Sequence, residues 1–218
     1  MMWRRDSVGR LLLVVAGLGL AVPACPQGAP DPVEELRSTL RGELAARDLS
    51  LQGVRIGKST LSDVEAKLGD ARRFSPGGIA ELVALCYASS DEGSDTAVVF
   101  EADSADPAGV VMMAHVTTRG ALGGTVRHCS TSPALATEVQ TDGGLALGLS
   151  RAAYRARFQQ APSEEGARYT GFYFFQVVAP RAAGVRGSCQ LQSGLRGRFT
   201  SGRLTAFTVY RFYRGPAC

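Results

Sequence analysis

The sequence lacks the residue spacings that most metal and catalytic sites require. It has only two histidines, His115 and His128, and none of its five cysteines belongs to a Cys-x-x-Cys pair. Structural zinc sites need such closely spaced ligands, so we predict no bound metal. The acidic residues lack the spacing of a calcium-binding loop, and no nucleophile-elbow motif is present. These absences argue against an enzyme and predict neither catalytic residues nor a cofactor.

One enzymatic alternative stays open. His115, or an acidic pair such as Glu101 and Asp103, could serve as the acid-base group of an exported hydrolase or a cell-wall-active enzyme.

Lysine is also scarce, since Lys58 and Lys67 are the only two in the chain. The dominance of arginine reflects a GC-rich genome better than nucleic-acid binding, so we predict no nucleic-acid partner. The charge is unevenly spread: residues 151–218 contain eleven arginines and two glutamates, whereas residues 26–150 contain ten basic and seventeen acidic residues. The basic half therefore either attracts the acidic half of the same molecule or faces an acidic surface of an envelope partner.

The chain has no apolar run long enough to span a bilayer. The longest, Leu11–Val22, has twelve residues, against the roughly 20 that a transmembrane helix needs. Arginines precede this run and small residues follow it, which is typical of a secretory signal. We predict a signal peptide at 1–24 and no transmembrane span.

Two cleavage routes are open at the end of this signal. The sequence Val22-Pro23-Ala24-Cys25 is similar to the lipobox of bacterial lipoproteins, but it also offers a small-x-small site for ordinary signal peptidase. Without Cys25 four cysteines remain, an even number that suits disulfides in an oxidising compartment. We predict a protein of the periplasm or one attached to the outer membrane, with a lipid anchor at Cys25 as one of the two outcomes.

Two similar segments lie about ninety residues apart. The first predicts a helix capped by Thr60 with Asp63, and its apolar face consists of Leu61, Val64 and Leu68. In the second segment, Ser150 occupies the position of Thr60. Tyr154 and Phe158 occupy the positions of Val64 and Leu68. Three strand-like segments follow each helix, at 81–88, 96–102 and 109–117 and again at 168–178, 188–199 and 204–213.

These patterns predict an α+β fold of two tandem repeats, each a short helix followed by a three-to-four-stranded antiparallel meander, in one continuous sheet or two. The predicted divisions are a linker and amphipathic helix at 25–50, a first repeat unit at 51–131 and a second at 142–218.

The Ile56-Gly57 turn, the capped helix ending at Leu68-Gly69 and the meander after it resemble the β-lactamase inhibitor protein family and the small outer-membrane assembly lipoproteins of related fold. The resemblance covers most of residues 53–218 in outline. It implies a binding module in which an exposed sheet face or loop meets a partner protein without catalysis. No inhibitory-loop residues match, so the resemblance does not extend to inhibitor activity.

The repeat frame also predicts how the cysteines pair. Four cysteines allow three connectivities. Pairing within each unit joins Cys86 to Cys129 and Cys189 to Cys218.

Strand alternation suggests one candidate binding surface. Between 190 and 199, polar residues occupy one phase and Leu191, Leu195 and Phe199 the other. If the last strand adds its own polar phase, the candidate binding residues are Gln192, Arg196, Arg198, Thr208 and Tyr210. Tyrosine and arginine are enriched at binding hot spots, although an ordinary solvated sheet face is the alternative.

Overall fold

A computed structural model of the chain describes residues 42–76, 81–91, 93–135, 138–179, 187–215 and 218. The predicted signal peptide, Cys25 and most of the predicted N-terminal helix lie outside the described residues. The elements within them are β1 (Ser50–Leu51), β2 (Val54–Arg55), α1 (Leu61–Leu68), β3 (Leu82–Ser89), β4 (Thr96–Asp103), β5 (Val111–Thr118), a 3-10 segment (Arg119–His128), β6 (Cys129–Ser132), α2 (Arg151–Arg155), β7 (Glu164–Glu165), β8 (Tyr169–Val178), β9 (Cys189–Thr200) and β10 (Arg203–Arg214).

Eight of these strands form one sheet in the order β6-β3-β4-β5-β10-β9-β8-β7, and β1 pairs with β2 separately. All neighbours in the large sheet are antiparallel except β3 and β6, which run parallel. The pairing of β5 with β10 joins two sets of strands that are distant in sequence. None of the helices in the described residues combines the length and the hydrophobicity needed to cross a bilayer.

The predicted fold class, an α+β arrangement of two helix-plus-meander repeats, is wrong. The described chain is mostly β, with one mixed eight-stranded sheet and helices of only eight and five residues. The second helix has little more than one turn and ends at Arg155, with Ala156 as its C-cap residue, so it does not reach Phe158 as the predicted pattern required. β6 adds a parallel pairing that no antiparallel meander contains.

Two disulfides are present in the described structure. Cys86 of β3 is bonded to Cys129 of β6, and Cys189 of β9 is bonded to Cys218, the same two pairs that the sequence suggested. The first bond lies directly across the parallel pairing, where the two residues are register partners. Such bonds are typical of proteins that fold in oxidising compartments outside the cytoplasm.

The main core lies on one face of the sheet, under the two helices. Leu61, Val64 and Leu68 of α1 and Tyr154 of α2 are buried against it. The predicted capping box is confirmed: the Thr60 hydroxyl accepts from the Asp63 amide, and the Asp63 carboxylate accepts from the Thr60 amide. Burial of hydrophobic side chains, rather than helix propensity, holds such short helices in place.

The opposite face is covered over only part of its width within the described residues. At the β3–β4 end, Leu122 of the 3-10 segment and Phe74 pack on a small cluster of Ala84, Cys86 and Val99. At the β8–β10 end, Tyr169 and Val177 of β8 are exposed on this face. The difference leaves a broad surface on which the candidate binding residues lie.

Candidate functional site

The five candidate binding residues lie on one face of the sheet. Directly opposite residues in an antiparallel pair point to the same side. Thr208 is paired with Arg196, Tyr210 with Gly194 and Gln192 with Phe212, while Arg198 follows Arg196 by two residues. The structure therefore brings Gln192, Arg196, Arg198, Thr208 and Tyr210 together, and we call the surface they form with the outward residues of β8 the open face.

Strand β8 also contributes to the open face, although no candidate binding residue was predicted on it. Tyr169, Tyr173 and Phe175 are paired with Arg198, Gly194 and Gln192, so all three belong to the open face. β8 has apolar residues on both phases, and periodicity therefore does not distinguish its two sides. Val177 shares the face and is 64% exposed.

Two glycines allow tyrosine rings to lie flat on the sheet. The Tyr210 ring covers Gly194 and the Tyr173 ring covers Gly171, so that a Cβ atom at either glycine would collide with the ring. The ring centroids of Tyr173 and Tyr210 are 6.3 Å apart, and Phe212 lies 5.5 Å from Tyr210. The glycine two residues before a tyrosine in Gly171-Phe172-Tyr173 was the sequence signal for one part of this platform, whereas Gly194 and Tyr210 meet only through the β9–β10 register.

Glu164 fixes the edge of this platform. Its carboxylate accepts a hydrogen bond from the Tyr173 hydroxyl and forms a 3.3 Å ion pair with Arg196. The Arg196 guanidinium also lies 4.5 Å from the Tyr169 ring centroid, which is cation-π geometry. Burial, with Glu164 nearby, raises the pKa of Tyr210 to about 12, and the same causes raise the pKa of Tyr173. Both tyrosines are therefore neutral hydroxyl groups at pH 7.

A cavity of about 310 Å³ opens where the face meets the 3-10 segment. Its lining residues are His115, Thr117, Ala121, Arg168, Tyr169, Arg196, Gly197, Arg198, Ala206, Phe207 and Thr208. His115 Nδ1 is 2.9 Å from Thr208 Oγ1. Burial, and secondarily the charge of Arg198, lowers the pKa of His115, so the imidazole is neutral at pH 7.

The residues of the enzymatic alternative occupy different surroundings. His115 lies in the cavity wall, and burial raises the pKa of Glu101 on the neighbouring strand β4. Asp103 ends that strand, where its carboxylate accepts from the Ala105 amide at 2.8 Å. Within the described chain, no cluster of three or more His, Cys, Asp or Glu residues could hold a metal ion.

Arg168 and Arg198 are the cations of the cavity whose charge is not offset. Neither forms an ion pair within the described ranges, whereas Arg196 is paired with Glu164. The arrangement can therefore attract an anion at the cavity and present aromatic surface beside it. Comparisons of the chain with protein-family models, with curated proteins and with solved structures found no match, so the resemblance to the β-lactamase inhibitor protein family stays a prediction.

Proposed function

We propose that the protein is an exported, non-enzymatic binding module of the bacterial cell envelope, and that its open face holds an acidic partner protein. The observation that carries the proposal is the aromatic platform of Tyr173, Tyr210 and Phe212, bordered by Arg196 and Arg198. Tyrosine and arginine are among the residues enriched at interface hot spots.

The platform is organised before a partner arrives. Gly171 and Gly194 provide the space in which the rings lie, and Glu164 restrains Tyr173 and Arg196. Ordering a rotamer-rich side chain at an interface costs roughly 0.5–1.5 kcal/mol. Rings and guanidinium groups that are already fixed avoid much of this cost, which favours a binding surface over an ordinary solvated one.

The charge of the second half of the chain indicates an acidic partner. It has eleven arginines and only two acidic residues, Glu164 and Glu165. Both glutamates are already paired, with Arg196 and with Arg155 at 3.3 Å. The remaining positive charge would accelerate encounter with an acidic surface, an effect that salt weakens.

The N-terminal pattern and the two disulfides support export, and the lipobox-like sequence Val22-Pro23-Ala24-Cys25 supports anchoring. We propose removal of residues 1–24 and a lipid on Cys25, which would hold the protein at the outer membrane. The intact mass of protein produced with its own N-terminus in a Gram-negative host tests this step. A diacylglyceryl and acyl addition on Cys25 is expected, while an unmodified mass would assign the protein to the periplasm instead.

In-cell photo-crosslinking tests the binding function. A benzophenone amino acid replaces Val177, which is exposed on the open face, or Ala66, which is exposed on α1 at the other side of the sheet. We expect one acidic protein to be crosslinked from position 177 and not from position 66. The adduct should disappear when Tyr210→Ala or Arg198→Glu is added.

Three outcomes would contradict the proposal. The first is no adduct at position 177, and the second is the same adducts from both positions. The third is an internal crosslink from position 177 to residues 1–41, which would show that the chain covers its own face.

A further inference from the structure

The wall of the cavity beside the platform contains a buried hydroxyl group that has no hydrogen-bond partner within the described residues. Thr117 is 1% exposed and lines the cavity, and its Oγ1 makes no hydrogen bond within the described structure. Buried polar groups are nearly always hydrogen-bonded, because leaving one unpaired costs free energy. A ligand in the cavity would supply the missing partner.

The charges around the cavity favour an anion as its ligand. Arg168 and Arg198 line it and form no ion pair within the described residues, while the third arginine, Arg196, is neutralised by Glu164. His115 and Thr208 already share a hydrogen bond with each other. Two arginines and one hydroxyl thus form a set of donors for which no acceptor side chain is found in the described part of the chain.

The rest of the wall is apolar and the space is small. Ala121, Ala206 and the Tyr169 ring are among the lining residues, and the volume of about 310 Å³ is at the lower end of small-molecule sites. A planar carboxylate matches the fork of an arginine guanidinium with two parallel hydrogen bonds. A short apolar stem would then pack on the alanines and the ring.

We propose that this cavity binds a carboxylate carried on a short apolar stem. Arg198 and Arg168 pair with the carboxylate oxygens, and the Thr117 hydroxyl donates to one of them. The site does not depend on the partner-binding function, because a free small carboxylate and the side chain of a partner's glutamate would present the same chemistry.

Titration of the ¹⁵N-labelled secreted protein by NMR tests the site. The probes are benzoate and its neutral isostere benzamide, N-acetylglutamate methylamide and its glutamine counterpart, and inorganic phosphate. We expect a carboxylate probe to shift the backbone amides of the cavity residues and to bind on the order of tenfold more tightly than its neutral counterpart. Tighter binding of benzoate would assign the site to a free small molecule, and tighter binding of the glutamate probe would assign it to a peptide side chain.

Thr117→Val and Thr170→Val form the matched pair of variants. Thr170 Oγ1 is also buried and has no partner among the described residues, but Thr170 does not line the cavity. Thr117→Val should weaken carboxylate binding several-fold and Thr170→Val should leave it unchanged, while Arg198→Gln should weaken it on the order of tenfold. The amide spectrum of each variant reports whether it remains folded.

The proposal is overturned if no carboxylate shifts the cavity amides, if the neutral probes bind equally well, or if phosphate binds more tightly than either carboxylate. Equal losses in Thr117→Val and Thr170→Val would also overturn it. Failure of the crosslinking experiment with success here would remove the protein partner and retain the carboxylate site.

Discussion

His115 faces Thr208 across the pairing of β5 with β10, with the imidazole Nδ1 2.9 Å from the hydroxyl oxygen. This pair lies where the two sets of strands join into one sheet. Burial first, and the Arg198 charge second, lower the pKa of His115 from its ordinary value of 6.5. In the unfolded chain the same imidazole is in water and keeps that ordinary value.

The contribution of His115 to stability should therefore fall as the pH falls. Between pH 6.5 and the lowered pKa of the folded state, the unfolded chain binds more protons than the folded chain, so acid favours unfolding. We expect the difference in unfolding free energy between the wild type and His115→Gln to become smaller, or to reverse, from pH 7.5 to pH 5. Urea denaturation at both pH values measures it.

Because Glu101 also titrates, the unfolding free energy of the wild type must be compared with that of His115→Gln rather than followed alone. Burial raises its pKa, so its contribution is present below about pH 4.5 and is lost as the pH rises through the folded value. That slope is opposite to the slope from His115 but is common to both proteins. A pH-independent difference between wild type and His115→Gln would contradict the lowered pKa of His115.

The unpartnered hydroxyls of Thr117 and Thr170 predict stabilising substitutions. An unsatisfied buried polar group costs about 1–3 kcal/mol, and valine keeps the shape and the strand preference of threonine. We expect Thr117→Val and Thr170→Val each to raise the free energy of unfolding by about 1 kcal/mol. Chemical denaturation without added carboxylate is the measurement, and a loss of stability in either variant would mean that its hydroxyl has a partner.

Local alternation was sufficient to find the strands but not their arrangement. The predicted segments 96–102 and 204–213 lie within β4 and β10. Such strands can be found from the sequence because successive side chains point to opposite faces of the sheet. The parallel pairing of β3 with β6 joins residues 43 positions apart, and no periodicity encodes it. The fold class was therefore wrong, although most of the strands that build it were recognised.

The candidate site, like the fold, could be predicted from the sequence only in part. β9 alternates clearly between buried apolar residues and exposed Arg196 and Arg198, so its open side was visible in the sequence. Tyr173 of β8 was missed because aromatic residues occupy both sides of that strand. The cavity was not predicted because Thr117 and Arg168 come together only through the β5–β10, β10–β9 and β9–β8 pairings.

Gly57 and Gly148 provide a matched test of one close contact. Both have positive φ, at +79° and +86°, and both amides donate to a strand carbonyl. A Cβ atom at Gly57 would lie 2.8 Å from Cδ of Arg211, whereas nothing lies within 4 Å of one at Gly148. Arg211 in turn forms a 2.8 Å ion pair with Glu43.

We expect Gly148→Ala to cost about 1–2 kcal/mol through its backbone conformation alone. Gly57→Ala should cost about 1 kcal/mol more, because Arg211 must move and lose its packing and its ion pair. Thermal unfolding of the two variants measures the difference. Equal losses would show that Arg211 moves aside without cost. In an Arg211→Ala background, Gly57→Ala should cost no more than Gly148→Ala if the contact with Arg211 causes the extra loss.

The two disulfides should differ in what their removal costs. The bond between Cys86 and Cys129 closes a loop with a sequence separation of 43, and that between Cys189 and Cys218 one of 29. The chain-entropy model assigns them about 4 and about 3.5 kcal/mol. Cys86 and Cys189 are both fully buried, but of these two only Cys86 belongs to a hydrophobic cluster in the described structure, with Ala84 and Val99, so its loss removes that packing as well.

We therefore expect the Cys86→Ala/Cys129→Ala double variant to be less stable than Cys189→Ala/Cys218→Ala, by more than the loop lengths alone predict. Urea denaturation under non-reducing conditions measures both, and the wild type in reductant shows the combined loss. If the two variants lose the same free energy, the parallel β3–β6 pairing must hold without its covalent bond. Stability unchanged in both would mean that neither disulfide constrains the unfolded chain.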